Sequence, residues 1–119
     1  MSDPFHALTS TADWTDALDR SADTPVLIYK HSSACPVSTQ AQTEVQELAE
    51  AVPDLPVYRV VVQDHRAVSD HIEDTLGVRH ETPQALLLAD GTAVFDTSHF
   101  DVTAETLRDA LDDAAVSSE

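Results

Sequence analysis

The 119-residue sequence contains one cysteine, one lysine, one tryptophan, one methionine and two glycines. A single cysteine excludes an internal disulfide and any metal site made of cysteines alone. It also excludes a redox cycle run between two cysteines of the same chain. No window holds the run of about 18 apolar residues that crossing a bilayer requires. The amino terminus, Met1-Ser2-Asp3-Pro4-Phe5-His6, lacks the basic region and the apolar core of a secretory signal, so a cytoplasmic protein is expected. Positive charge is scarce as well. Six Lys and Arg stand against 22 Asp and Glu, for a formal net charge of −16. Nucleic acids and anionic membranes bind through cationic footprints, so neither is expected as a partner.

The acidic residues are mostly aspartate and are scattered along the chain, not gathered into a tail. This pattern reads as a solvated acidic surface suited to high salt, where a Debye length near ~3 Å at 1 M screens self-repulsion. The sequence thus points to a halophilic source. The length predicts one domain over residues 1–119, able to bury about two-thirds of its unfolded surface.

Apolar periodicity sets the element order. Thr11 or Asp13 can cap a first helix carrying Trp14, Ala17 and Leu18. Val26-Leu27-Ile28-Tyr29 reads as a short buried strand, and Lys30 to Ala34 as the loop after it. Behind Pro36, residues Val37, Ala41, Val45, Leu48 and Val52 share one face of a long helix that Pro53 and Pro56 stop. Val57 to Val62 forms a second strand, and Val68, Ile72 and Leu76 mark a short helix closed by Gly77. Asp90-Gly91 between Ala85–Leu88 and Ala93–Phe95 is a hairpin signal. Asp101 or Thr103 can cap a last helix that buries Leu107, Ala110 and Leu111. A helical crossover makes the first two strands parallel, and the closing hairpin is antiparallel. The expected fold is α/β and thioredoxin-like: a four-stranded mixed sheet flanked by helices, with an extra N-terminal helix.

Cys35 stands at the strand-to-helix turn, directly before Pro36. Proline suits the first helical position because its missing N–H has no partner there. Cys35 is then expected at the N-cap, facing unsatisfied N–H groups and the positive end of the helix dipole. That field is worth typically 0.3–1 kcal/mol, up to about 2, and lowers a thiol pKa from ~8.5 by about one unit. Thr82-Pro83 precedes the third strand, which in this fold starts beside the end of the first. A cis bond there turns the Thr82 backbone toward the sulfur and offers it to an extended thiol or peptide substrate. His31, four residues before Cys35, and His99, after the last strand, are candidates to stabilise a thiolate or protonate a leaving thiol. No tight ligand spacing among these residues points to a metal. His65, His71 and His80 read as surface residues, and Trp14, Phe95 and Phe100 as core or rim packing.

On these residues the sequence resembles the monothiol bacilliredoxin family, thioredoxin-like proteins tied to the small thiol bacillithiol. The resemblance rests on Tyr29 to Ser38, Gly77 to Gln84 and Thr97 to Thr103, three separated motifs in order that span nearly the whole chain. The family's active-site motif usually reads Thr-Cys-Pro-Ile-Ser. Cys35, Pro36 and Ser38 match it, Val37 is a mild change, and Ala34 replaces the threonine. Phe100 stands where the family pattern usually has Trp. The resemblance implies a thiol-disulfide oxidoreductase that removes bacillithiol from mixed disulfides with client proteins. Cys35 would be the nucleophile, with Pro36, Ser38, His31, Thr82, Pro83 and His99 around it and Thr82-Pro83 against the thiol. Bacillithiol would be a co-substrate, with no tightly bound cofactor. Two other readings stay open: a glutaredoxin-like protein using another small thiol, such as glutathione or coenzyme A, and a non-catalytic adaptor or sensor module.

Overall fold

The computed structural model describes residues 5–34 and 36–117, with side chains through Asp113. Ten residues capped by a serine open the helical part of the chain. In α1 (Thr11–Arg20) the cap is Ser10, whose hydroxyl accepts from the Asp13 N–H at 3.2 Å. Asp13 instead turns back, its carboxylate accepting from the N–H and hydroxyl of Thr9 at 3.0 Å each. These bonds hold the Asp13 pKa below its ordinary value. The cap therefore lies one residue before the first cap expected from the sequence, and Asp13 ties the residue ahead of it.

Five strands form one mixed sheet in the order β1-β3-β2-β4-β5. They are β1 (Phe5–Ala7), β2 (Val26–His31), β3 (Val57–Val61), β4 (Gln84–Ala89) and β5 (Thr92–Ser98). The fold class is thioredoxin-like as expected, but the sheet has five strands where the sequence suggested four. The added strand is β1, parallel to β3 with Phe5 opposite Val57. It is three residues long with only Phe5 buried, so no alternation announces it. Phe5 nevertheless joins the core against Tyr29, and the Arg59 guanidinium lies 4.9 Å over its ring. Helices α2 (Pro36–Ala51), α3 (Arg66–Leu76) and α4 (Ala104–Ser117) complete the fold.

Period-two alternation divides the strands between two cores. Leu27 and Tyr29 of β2 join Ala41, Val45, Leu48 and Leu107 on the α2/α4 side. Val26 and Ile28 join Trp14, Ala17, Val68 and Ile72 on the α1/α3 side. β2 runs parallel to β3 and antiparallel to β4, so the sheet interior is apolar on both faces. Asp90 and Gly91 have φ of 53° and 74°, the left-handed pair of a two-residue hairpin turn between Ala89 and Thr92. Thr103 caps α4 by accepting the Thr106 N–H at 3.2 Å.

Gly77 ends α3 with φ of 67°, and its N–H reaches the Glu73 carbonyl at 2.9 Å. A side chain there would meet nothing within 4 Å, so backbone strain alone opposes substitution. We expect Gly77→Ala to cost about 1 kcal/mol in urea unfolding, the usual penalty of an L-residue in the left-handed region. An unchanged urea midpoint would count against this account of the helix end.

Candidate active site

Three segments adjoin at one end of the sheet. Lys30 in β2 pairs with Gln84 in β4, and Gln84 pairs with Ser98 in β5. This register sets the end of β2 at His31, the Thr82-Pro83 turn and the His99 turn side by side. α2 begins at Pro36, directly after Cys35, as the sequence suggested. Cys35 itself lies outside the described residues.

The loop between β2 and α2 is held by side chains from two directions. Ser38 is fully buried, and its hydroxyl accepts from the Ser32 N–H at 3.2 Å. Gln63, beyond the end of β3, clamps the same loop with both ends of its amide. Its Nε2 donates to Ser32 Oγ at 2.7 Å, and its Oε1 accepts from the Ser33 N–H at 3.1 Å. Gln63 was not legible in the sequence, because a glutamine 30 residues away carries no local pattern. Ala34 and Pro36, on either side of Cys35, are exposed.

His31 lies half-buried on the α2 side of β2, with Nδ1 2.9 Å from Tyr29 Oη. The Tyr29 hydroxyl also lies 2.8 Å from the Ser38 carbonyl oxygen, which can only accept. A phenol has one proton, so both bonds form together only when Nδ1–H donates to the tyrosine oxygen. The tautomer is thereby assigned: neutral His31 carries its proton on Nδ1 and a free lone pair on Nε2. Burial first, then the nearby Arg59 charge, lowers the His31 pKa, against a smaller raising effect of the Ser38 carbonyl. Neutral His31 at pH 7 is a base in waiting.

The Thr82-Pro83 bond is cis, with Thr82 half-buried and Pro83 buried. The Pro83 carbonyl accepts from the His99 N–H at 2.9 Å, which joins two of the expected site segments. His99 has φ of 57° and opens the 3-10 turn His99–Asp101. Its Nε2 lies 3.0 Å from Glu81 Oε2, so this imidazole is engaged by a carboxylate two residues before Pro83. Phe100 corrects the expectation of core or rim packing, since it is 76% exposed. The 3-10 turn carries its ring outward beside the site.

His80 also corrects the sequence reading, which placed it on the surface. It is half-buried, with Nδ1 3.1 Å from Lys30 Nζ and 3.2 Å from Ser69 Oγ. Lys30, read from sequence as the start of a loop, is the fifth residue of β2 and 0% exposed. Burial is the main cause that lowers its pKa from 10.5 to about 8, against the pull of Glu73 and Asp70.

A family model, monothiol bacilliredoxin BrxC, matches residues 6–107. The chain belongs to the monothiol bacilliredoxin family. It is similar to a solved protein described as a candidate oxidoreductase with a thioredoxin fold, at 29% identity and TM-score 0.80, covering 87% of this chain and 90% of the other. Thioredoxin O2 from Arabidopsis thaliana superposes at TM-score 0.74 and 23% identity over 95% and 96% of the two chains. Thioredoxin from Trypanosoma brucei brucei gives TM-score 0.78 at 12% identity over 94% and 91%. The last two establish the fold. Family and fold together give thiol redox chemistry.

The buried ammonium makes a pH-dependent stability prediction. Lys30 releases its proton at about 8 in the folded chain and near 10.5 in the unfolded one. Between these values the unfolded chain binds more protons, so stability rises with pH across that window. Below it the buried charge costs stability. Lys30→Met is expected to melt higher than the parent at about pH 7, with the gap closing between about pH 8 and 10.5. A gap that does not change with pH would exclude this origin.

Proposed function

We propose that this chain removes bacillithiol from mixed disulfides, with Cys35 as its nucleophile. One observation carries the reading: the only sulfur nucleophile stands directly before the first residue of α2, in a family of monothiol bacilliredoxins. Unsatisfied N–H groups and the dipole at a helix start favour a thiolate over a thiol.

The cycle needs one cysteine. The neutral His31 Nε2 lone pair takes the Cys35 proton, and the resulting imidazolium keeps its Nδ1–H bond to Tyr29. The Cys35 thiolate then attacks the bacillithiol sulfur of the client mixed disulfide. A Cys35–bacillithiol disulfide forms, the old S–S bond breaks, and its electron pair leaves with the client sulfur, which takes up a proton. A second thiol from solution, as its thiolate, attacks the bacillithiol sulfur of that disulfide, forms a small-molecule disulfide with it and expels the Cys35 thiolate. Oxidising equivalents pass from client to small thiol, and nothing else is consumed. The backbone at Thr82-Pro83 offers the hydrogen-bonding edge for the extended thiol substrate, with Ser38 fixing the helix start. His99, held by Glu81, adjoins this edge through its N–H bond to the Pro83 carbonyl. Clients are proteins carrying bacillithiol on cysteine, met in the cytoplasm.

The test uses a reporter peptide with one cysteine, blocked in turn by bacillithiol, glutathione and coenzyme A. Intact mass is expected to show one bacillithiol on the protein at Cys35, with none on Cys35→Ser. Release from the bacillithiol peptide should be the fastest of the three. Equal release by Cys35→Ser overturns the nucleophile, and faster release of glutathione or coenzyme A overturns the thiol. An alkylation rate no faster than that of free cysteine favours the adaptor reading.

His31 adds a second prediction. His31→Asn is expected to slow release about 10²-fold near pH 7, the usual contribution of a positioned base. The deficit should shrink as pH rises through the thiol pKa, where Cys35 ionises unaided. A loss that is the same at every pH would assign His31 to structure alone.

A further inference from the structure

A buried polar cluster on the α1/α3 side of the active-site end plays no part in the cycle above. Lys30 Nζ and Ser69 Oγ converge on His80 Nδ1 at 3.1 Å and 3.2 Å. The His80 N–H donates to Glu73 Oε2 at 2.6 Å. Lys30 and Ser69 are both 0% exposed. Gln84, the cross-strand partner of Lys30, is 2% exposed and donates from Nε2 to the Arg79 carbonyl at 2.9 Å. Its Oε1 has no hydrogen-bond partner among the described residues.

We propose that Lys30 is a positioning residue for the thiol chemistry: a buried ammonium that ties the segment carrying Pro83 to the strand leading to Cys35 and favours the Cys35 thiolate. The connection is covalently short on both sides. Lys30 precedes Cys35 by five residues, and its partner His80 precedes Pro83 by three. An ammonium has only donors, so His80 Nδ1 accepts and the imidazole is neutral with its proton on Nε2. The positive charge therefore sits on Lys30.

Every element packed around that ammonium can be checked for charge. α3 contributes Asp70 and Glu73, which favour it, and Arg66, which acts on His80. The loop contributes His80 itself. β3 places the apolar Val60 opposite Lys30, and β4 places the neutral Gln84. A strand of this kind would gain stability from an apolar residue at position 30, since an ion buried away from water is costly even when partnered. A buried charge is also screened less by salt than the acidic residues on the surface. It can thus oppose the −16 field at the place where an anion must form.

Linkage makes the idea testable from both ends. If the ammonium lowers the Cys35 pKa, the thiolate raises the Lys30 pKa by the same amount. Lys30 is the only lysine, so lysine labelled with 13C at Cε gives one side-chain signal. Its titration is to be followed between about pH 6 and 11 in the reduced protein and in Cys35→Ser. The Lys30 midpoint is expected to fall by about half a unit to one unit when the thiolate is removed. The reciprocal measurement is iodoacetamide alkylation of Lys30→Met. Its Cys35 midpoint should rise equally, giving about three- to tenfold slower reaction at about pH 6.

Coincident Lys30 midpoints in the two proteins overturn the proposal and leave Lys30 a structural brace. That comparison decides the matter even if Lys30→Met does not fold, because both chains in it keep Lys30. The proposal rests on Cys35 being the reactive thiol, not on bacillithiol. Intact coupling without bacillithiol uptake overturns the small-thiol assignment alone. Bacillithiol uptake without coupling overturns the role of Lys30 alone.

Discussion

The Tyr29 hydroxyl and the Ser38 carbonyl meet at 2.8 Å inside the protein, and the active-site end depends on that bond. It joins the strand that ends at His31 to the first turn of α2. Helix starts leave N–H groups free but do not by themselves fix where the helix points. Here the direction is set by a rigid aromatic ring standing on the central strand, backed by Phe5 at 6.3 Å between centroids. The Ser38 hydroxyl adds a second tie, to the Ser32 N–H at 3.2 Å. Position 38 thus serves twice, through its backbone to the strand and through its side chain to the loop. The same tyrosine oxygen selects the His31 tautomer, so the contact that aims the helix also leaves Nε2 as the acceptor nitrogen of the neutral imidazole.

Electrostatics divides the molecule between surface and interior. Outside, the acidic residues find few basic partners. Arg66–Asp70 at 4.0 Å and Arg79–Glu81 at 3.9 Å are exposed pairs of the kind worth between nothing and about 1 kcal/mol. Such a surface is governed by solvent and salt, not by pairing. Inside, the only lysine is withdrawn from solvent completely. In the proposed cycle, a thiol ionising against a net charge of −16 faces a repulsion that a helix start opposes with about 1 kcal/mol. The two cationic centres near the site, Arg59 and Lys30, lie on opposite sides of the sheet. Burial, with the Arg59 charge adding to it, favours neutral His31, while Glu73 and Asp70 partly offset the burial that opposes the charge on Lys30.

Much of this was legible in the sequence where one residue type has one physical use. Pro36 marked the start of α2, Gly77 the end of α3, and Asp90-Gly91 the hairpin, because each conformation excludes most alternatives. The Thr82-Pro83 turn was legible by analogy with the fold, since a proline alone favours trans. Features made by long-range contact were not legible. β1 has too few residues for a pattern, and its pairing with β3 spans some 50 positions. Gln63 and Glu81 act through amide and carboxylate groups that look like ordinary surface residues in a sequence. Phe100 misled for the opposite reason, since an aromatic residue normally argues burial. Capping is ambiguous wherever Thr, Ser and Asp crowd together, which is why Ser10 rather than Thr11 or Asp13 took the role.

Lys30 is the informative failure among these. A lysine after Val26-Leu27-Ile28-Tyr29 looks like the end of a strand, because lysine is rarely buried. Yet β2 continues through it to His31, paired on both edges, with Val60 on one side and Gln84 on the other. Continuing the strand fixes the side chain on the α1/α3 face, buried from solvent with His80 Nδ1 as its partner at 3.1 Å among the described residues. A sequence that obeys local rules almost everywhere and breaks one at a costly position has a reason outside stability. The cost falls on the strand that leads directly to Cys35, and the compensating contacts lie in the segment that leads directly to Pro83. Both halves of the site are thereby linked through one side chain that folding alone would not select.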